Sequence, residues 1–108
     1  MLNLWHPLTV SLYNTVVNFE ARPLKRGVVC RLMPHMKADA TLDDSLNIID
    51  IIADVLPEYV RNIKGLQLDG RDVTPEEMAA EGIFFEVLSL IATELIKLST
   101  FSAYQAKN

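Results

Sequence analysis

The stretch IFFEVLSLIATELIKL, residues 83–98, decides the fold of this chain because it reads as a long apolar helix. Apolar residues recur there at the i, i+3, i+4, i+7 spacing of one helix face. The first stripe consists of Phe84, Leu88, Ile91, Leu95 and Leu98. The second stripe consists of Ile83, Val87 and Leu90. One stripe is enough to seal a small core, so the second predicts contact with another element or another chain.

The side chains that a partner or a second copy would contact are predicted on this helix. This possible partner or self-association surface consists of Phe84, Phe85, Val87 and Leu90. Phe84 and Phe85, with Trp5, are the large side chains that could serve as interface anchors. The alternative is that the broad apolar face is buried inside its own fold, since even a small domain must cover its central helix.

Composition limits the classes of function. The 108 residues fit a single domain, residues 1–108, and half of them are hydrophobic. A net charge of −4 argues against nucleic acid as a partner, because phosphate binding needs a concentrated basic face. We expect no membrane segment, since no apolar run reaches the roughly 18 residues of a span. The start MLNLWHPLTV does not resemble a signal peptide, and one cysteine fits a reducing compartment, so we expect a cytoplasmic protein.

Residues 8–22 read as a β-hairpin. Apolar and polar residues alternate on both sides of Tyr13-Asn14, and the asparagine tolerates the positive φ of a tight turn. Two strands alone are marginally stable in water. The hairpin is therefore expected to lie on the helices or to extend a neighbouring sheet.

The helices after the hairpin are predicted from their caps. Pro23 fits the first position of a helix that Pro34 ends or kinks. Thr41 or Asp43 is expected to cap the next helix. That helix is predicted to continue past a kink at Pro57, because Tyr59, Val60 and Ile63 keep a helical spacing, and to end at a Gly65 C-cap.

The remaining segments carry the clearest local signals. Residues 66–73 predict a small hairpin or ordered loop around Asp69-Gly70. Thr74 with Glu77 forms a capping box for a short helix that Gly82 stops, and Ser99 or Ser102 is expected to cap a last helical turn. Two strands followed by helices, without alternating βαβ units, predict an α+β fold. It consists of a β-hairpin at residues 8–22 and about four helices within residues 23–108.

Few residues in the sequence are candidates for catalysis or metal binding. Cys30, His35 and Asp39 lie close in sequence, but zinc needs three or four protein ligands and no second Cys/His pair accompanies them. Cys30 with His35 lacks the orienting group and the electropositive pocket of a thiolate pair. Asp50 and Asp54 share one helix face without the Glu-x-x-His partners of a di-metal bundle. We therefore expect no catalytic residue, no metal and no cofactor, and a non-enzymatic protein.

Three stretches resemble the tail assembly chaperones of long-tailed bacteriophages and prophages. NFEARPLKRG, residues 18–27, resembles the strand-to-helix junction of that family, in which an aromatic, an acidic and a basic residue precede Pro-Leu. ADATLDDSLNIIDIIADVLPEYVRNIKGLQLDGRDVTPEEM, residues 38–78, has the family's succession of helix, glycine, Asp-Gly turn and capped helix. LIKLSTFSAYQAKN, residues 95–108, is similar to the common ending. The resemblance spans roughly residues 16–108.

The resemblance implies a non-enzymatic role in virion morphogenesis. Members of the family bind the tape-measure protein and recruit tail-tube subunits during tail assembly in the cytoplasm of the bacterial host, and they are absent from the finished particle. The resemblance and the surplus apolar surface together predict a homo-oligomer with protein partners. The alternative is a structural phage or prophage protein, a minor tail or head–tail connector subunit that is retained in the particle.

Overall fold

The computed structural model describes the backbone of residues 4–106 and the side chains of residues 4–100. Within that part of the chain lie a three-stranded antiparallel sheet, a two-stranded ribbon and four α-helices, so the predicted α+β class is confirmed. The elements are β1 (His6–Leu12), β2 (Thr15–Ala21), α1 (Arg26–Leu32), α2 (Leu42–Tyr59), β3 (Val60–Lys64), β4 (Gln67–Leu68), β5 (Arg71–Asp72), α3 (Pro75–Ala80) and α4 (Phe85–Ala106). Short 3-10 turns at Met33–His35 and Gly82–Phe84 follow α1 and precede α4.

The predicted β-hairpin is confirmed. β1 and β2 pair in antiparallel register from His6 opposite Ala21 to Leu12 opposite Thr15. Because side chains alternate along a strand, Val10 of β1 and Val17, Phe19 and Ala21 of β2 fall on one face of the sheet, which is turned to the core. Val16 lies on the other face and is exposed. The left-handed backbone of the turn falls on Tyr13, with φ of 54°, rather than on the expected Asn14.

The predicted continuation of α2 to Ile63 is wrong. The helix tolerates Pro57 but ends at Tyr59, and the next five residues form β3, which pairs with β2. A bulge with Asn62 at φ 55° inserts one residue, so Val60 and Ile63 both point to the core although they lie three apart. On a bulged strand this spacing imitates a helix.

Gly65 is not the predicted helix C-cap. It follows β3 with φ of 102°, where its backbone lies directly against that of Val16 in β2. A Cβ at this position would lie 2.1 Å from the carbonyl oxygen of Val16. The glycine is required by this close approach of two backbones and by its left-handed conformation.

Helix α1 begins at Arg26 and not at the predicted Pro23. The preceding backbone is extended because its amides find tertiary partners: Leu24 N donates to Ser99 Oγ at 2.8 Å and Lys25 N to Tyr59 Oη at 3.2 Å. Ser99 in turn donates to Leu95 O inside α4 at 2.8 Å. It is therefore an interior residue of α4, and the predicted separate final helical turn is wrong because α4 runs to Ala106.

The other local predictions are confirmed. Thr41 caps α2 in a capping box with Asp44, and Thr74 caps α3 in a capping box with Glu77. Asp69-Gly70 forms the turn between β4 and β5, with φ of 54° and 79°. These signals depend on residues within one turn of each other, so the sequence is sufficient to predict them.

The core lies between one face of the three-stranded sheet and the helices. α4 contacts β1, α2 and α3, while β3 contacts α2 and α3. The largest fully buried side chains are Tyr59, Leu32, Ile52, Leu56, Met78, Ile91, Leu95, Val17 and Val60. Because the buried side chains of α2 begin only at Ile52, the N-terminal half of this helix lies at the edge of the core.

Candidate protein-binding surface

The surface predicted on α4 is only partly available. Phe84 and Val87 are buried in the chain's own core, whereas Leu90 is half-buried and Phe85 remains 44% exposed. Contrary to the prediction, Phe84 and Val87 are not surface residues, because α4 contacts the sheet, α2 and α3 and its buried face is therefore wider than one stripe. Phe85 and Leu90 are the predicted surface residues that an outside chain can still touch.

Leu90 also lines a groove between α2 and α4, and Phe85 lies one helical turn before the lining residue Ser89. The groove encloses about 280 Å³. Its lining consists of Ser45, Ile48, Ile49, Ser89, Leu90, Ala92, Thr93 and Ile96. Ala92 is buried, while the four large aliphatic side chains are half-buried, so the groove has an apolar lining that is open to water. No sequence pattern predicts this groove, because it depends on how two helices distant in sequence pack.

Short side chains on α4 leave the space that forms the groove. The hydroxyl groups of Ser89 and Thr93 do not point unpaired into it: Ser89 Oγ donates to Glu86 O at 2.9 Å, and Thr93 Oγ1 donates to Ser89 O at 3.0 Å. Their donors are thus satisfied within the helix. The lining therefore accommodates apolar side chains without stranding a buried hydroxyl donor.

Exposed apolar side chains also occur on α2 and at the start of α4, outside the lining of the groove. Leu42 and Leu46 of α2 are 75% and 40% exposed, and Ile83 and Phe85 at the start of α4 are 76% and 44% exposed. Helix geometry places Leu42 and Leu46 one turn before lining residues of α2, and Phe85 one turn before Ser89. We call the groove with these four side chains the α2–α4 surface.

The charged residues of α2 and α4 are almost all acidic. The two helices carry the carboxylates Asp43, Asp44, Asp50, Asp54, Glu58, Glu86 and Glu94 and, as their one cation, Lys97. Four of these carboxylates have basic neighbours: Asp44 has Lys37 at 3.7 Å, Asp54 has Arg31 at 3.7 Å, Glu58 has Lys25 at 2.7 Å and Glu94 has Lys97 at 3.7 Å. Among the described residues, no ion pair forms with Asp43, Asp50 or Glu86, all of which are exposed.

The residues considered for metal binding are not grouped as a metal site requires. His35 Nδ1 lies 3.0 Å from Asp44 Oδ1, while Cys30 is exposed. The hydrogen bond with His35 and that from the Thr41 amide lower the pKa of Asp44 from 3.8 to about 2. The described part of the chain contains no group of three His, Cys, Asp or Glu side chains placed to hold a metal ion.

Trp5, the other predicted anchor, lies against the sheet. The guanidinium of Arg61 is 4.0 Å from the centroid of its ring, and that of Arg22 is 5.9 Å from it. Arg61 Nε also donates to Glu20 Oε1 at 3.1 Å, and Asn62 donates to the same oxygen. These two hydrogen bonds, led by that from Asn62, lower the pKa of Glu20. Trp5 thus takes part in a cation–π arrangement of the chain itself.

None of the described helices is both long enough and apolar enough to cross a membrane. Comparisons with protein-family models, with curated proteins and with solved structures found no significant match to the chain.

Proposed function

We propose that this protein is a non-enzymatic assembly factor that binds other polypeptides through the α2–α4 surface. The observation that carries the proposal is the open apolar groove between α2 and α4. Exposed apolar side chains, those of Leu42, Leu46, Ile83 and Phe85, occur on the same two helices and in the turn before α4. Fully burying a side chain of this size contributes roughly 1.5–3 kcal/mol. Covering several of them would favour binding of a partner, against the entropic cost of association.

In its more specific form, the function is that of a phage tail assembly chaperone, with the tape-measure and tail-tube proteins as partners. The support is the resemblance in residues 18–27, 38–78 and 95–108. NFEARPLKRG runs from β2 through an extended connector into α1, which is the kind of junction that the resemblance rests on. The cytoplasm of the bacterial host is the proposed location, because tails are assembled there.

The proposed mechanism is transient coverage of apolar surface. A tape-measure segment or tail-tube subunit would pack its exposed apolar side chains against those of the α2–α4 surface until it is incorporated into the tail. Binding of this kind requires no catalytic step and only an interface of modest area. Contiguous exposed apolar patches commonly mark sites of this kind.

The test is co-expression with the tape-measure protein and the tail-tube protein encoded in the same phage or prophage genome. Size-exclusion chromatography with light scattering should show a complex with at least one of them, and the absence of both complexes would overturn the proposal. The same measurement on the chain alone tests the prediction that it forms a homo-oligomer.

Mass spectrometry of purified particles decides between the two roles in assembly. A chaperone should be missing from the finished particle. Detection at a fixed ratio to the tube subunit would instead assign the chain to the particle, as a minor tail or head–tail connector subunit.

A further inference from the structure

We propose that β1 pairs antiparallel with β1 of a second copy of the chain, about a two-fold axis through Val10. The two three-stranded sheets then join into one sheet of six strands. The proposal assigns an interface to the predicted homo-oligomer. It depends on neither the α2–α4 surface nor the identity of the proposed tail-protein partners.

The two neighbours of β2 use alternate residues of that strand. On the side of β3, Arg22 N donates to Tyr59 O at 3.1 Å, and the carbonyl oxygen of Val16 lies against Gly65. Because the hydrogen-bonding direction alternates along an antiparallel strand, the even-numbered residues of β2 face β3 and its odd-numbered residues bond to β1. The register pairs those odd-numbered residues with the even-numbered residues of β1.

The odd-numbered residues of β1 therefore direct their backbone groups to the free edge of the sheet. They are Pro7, Thr9 and Ser11, of which only the proline lacks an amide hydrogen. Among the described strands, β1 lies at the edge, and no described backbone hydrogen bond links Thr9 or Ser11 to a segment outside the sheet. Their amides and carbonyls are thus available to a further strand.

The two edges of the sheet differ in their protection against such pairing. β3 carries Arg61, Lys64 and the bulge at Asn62, and charged side chains and bulges on an edge strand oppose the addition of another strand. β1 keeps an uninterrupted register with β2 over seven residues and contains no Asp, Glu, Lys or Arg. Pro7, which also opposes pairing, stands near the start of β1 and leaves residues 8–12 able to pair.

A two-fold axis through Val10 makes β1 complementary to itself. Thr9 then lies opposite Ser11 of the second copy, so the outward amides and carbonyls of both residues are all paired. On the core side of the sheet, Val10 meets its own copy and Leu8 meets Leu12. Both leucines are half-buried and packed against the core, so the pairing covers the parts of their side chains that the chain's own fold leaves exposed.

The outer face of the sheet fits the same register. Thr9 Oγ1 donates to Asn18 Oδ1 at 2.7 Å, so the threonine oxygen remains able to accept a hydrogen bond. Ser11 Oγ of the second copy lies opposite and supplies a donor. Pairs of hydroxyl side chains of this kind stabilise neighbouring antiparallel strands.

The charges of the hairpin do not oppose the pairing, although each chain has a net charge of −4. Within β1 and β2 the acidic residue is Glu20, which lies opposite Pro7 and therefore towards one end of the interface. Its Oε1 is held by Arg61 Nε at 3.1 Å. A second copy thus satisfies the backbone groups, the apolar side chains and the hydroxyl groups of the edge together, without bringing like charges into contact.

Analytical ultracentrifugation of the complete chain tests the proposal. We expect a dimer of twice 12.1 kDa. Its Kd should lie at about 1–100 μM, since the interface is small. A wild-type chain that remains monomeric at about 1 mM overturns the proposal.

Ser11→Pro removes an amide that faces the free edge and leaves the β1–β2 ladder intact, so it should weaken dimerisation at least about tenfold. Ser11→Ala is the matched control: it keeps the amide and should dimerise within about fivefold of the wild type. Circular dichroism identifies any variant that fails to fold. A folded Ser11→Pro variant that dimerises as well as Ser11→Ala overturns the proposal.

Opposite charges on the edge test whether two copies of β1 meet. Thr9→Lys with Ser11→Lys, and Thr9→Glu with Ser11→Glu, each place like charges opposite one another in a homodimer and should prevent it. An equimolar mixture of the two double variants should form a heterodimer, because each lysine then lies opposite a glutamate. If the folded variants do not associate in the mixture, β1 does not pair with itself.

Disulfide cross-linking establishes the register. Only a residue on the axis meets its own copy, so Val10→Cys should cross-link two chains on oxidation, in a Cys30→Ser background that removes the exposed native thiol. Leu8→Cys in the same background lies opposite Leu12 and should not cross-link. Failure of Val10→Cys to cross-link, or equal cross-linking of both variants, overturns the proposed pairing.

These outcomes are separable from the test of the proposed function. A monomeric chain that still forms a complex with a tail protein keeps its proposed function and loses the proposed pairing. A chain that dimerises through β1 and binds neither tail protein keeps the pairing and loses the proposed partners. Loss of a tail-protein complex in Ser11→Pro, when the wild-type chain alone is monomeric, would assign the edge to an extended segment of that protein and overturn the pairing of two copies.

Discussion

The backbones of Gly65 and Val16 approach so closely that no side chain at residue 65 fits between them. A Cβ at residue 65 would lie 2.1 Å from the carbonyl oxygen of Val16 and 3.3 Å from the Cα of Val17. Since β2 is the central strand of the three-stranded sheet, the contact fixes how β3 leaves it and how the chain turns towards β4.

Gly65→Ala is therefore expected to destabilise the fold by about 3 kcal/mol or more, because backbone strain at positive φ adds to a clash that only a backbone shift can relieve. Urea unfolding measures the change. Gly27→Ala is the matched control, since a Cβ at this position in α1 meets nothing within 4 Å and alanine favours helices. If the two variants unfolded at the same urea concentration, the close approach of Gly65 to Val16 would be refuted.

Ser99→Ala should lower the free energy of unfolding by about 1–2 kcal/mol, because the partly buried Leu24 amide loses its acceptor. Thermal or urea unfolding provides the measurement. Ser89→Ala is the comparison, since Ser89 Oγ bonds only to a carbonyl of its own helix. A Ser99→Ala variant no less stable than Ser89→Ala would mean that the Leu24 amide has another partner.

The stability of the chain should fall as the pH is lowered below the ordinary carboxyl range. The bidentate ion pair with Arg71, followed by the hydrogen bond from the Thr74 amide, lowers the pKa of Glu77 from 4.5 to about 2. A carboxyl whose pKa is lower in the folded state stabilises the fold above its unfolded pKa. That contribution is lost as the pH falls from about 4.5 towards 2, and Asp44 adds to the loss with its pKa of about 2.

Glu77→Gln tests the assignment, because glutamine can keep the capping box but cannot form the ion pair. The urea midpoint of this variant should change less with pH over the same range than that of the wild-type chain. Glu76→Gln, one residue away and without the contact to Arg71, should keep the wild-type dependence. An identical pH dependence in Glu77→Gln and wild type would remove Glu77 from the account.

Ile83→Asn should weaken binding of a tail-protein partner while leaving the stability within about 0.5 kcal/mol, as is usual for exposed positions. Ile83 is 76% exposed in the 3-10 turn before α4, so its replacement removes apolar contact area and little packing. Tyr13→Asn is the control: Tyr13 is 86% exposed in the β1–β2 turn, and its positive φ suits asparagine. Partner titrations by calorimetry should separate the two variants; equal affinities would place the interface elsewhere.

The contrast between β3 and the helix caps shows what the sequence could predict. Thr41 with Asp44, and Thr74 with Glu77, act within one helical turn, so residue identity alone specifies them. Whether residues 60–64 form a helix or a strand depends on their pairing with β2 and on a bulge at Asn62, and neither produces a local pattern in the sequence. The start of α1 was missed for the same kind of reason, since Ser99 and Tyr59 satisfy amides that a helix would otherwise have used.

The candidate site was predictable in part. The excess of apolar residues on α4 predicts more contact than one core stripe provides; Leu90 does line the groove, and Phe85 remains exposed. Phe84 and Val87 could not be separated from them by periodicity, because burial depends on how many neighbours α4 contacts. The contribution of α2 to the groove arises only from tertiary packing.

The junction between α2 and β3 has a mechanical consequence. Tyr59 ends the helix and Val60 begins the strand without a connecting loop, while Tyr59 accepts hydrogen bonds from Arg22 N at its carbonyl and from Lys25 N at its hydroxyl. The groove lies along the opposite, N-terminal half of the same helix. We therefore expect a bound partner whose side chains are too large for the groove to tilt α2 about Tyr59. The displacement of the N-terminal half of α2 would then be transmitted to β3 and the three-stranded sheet.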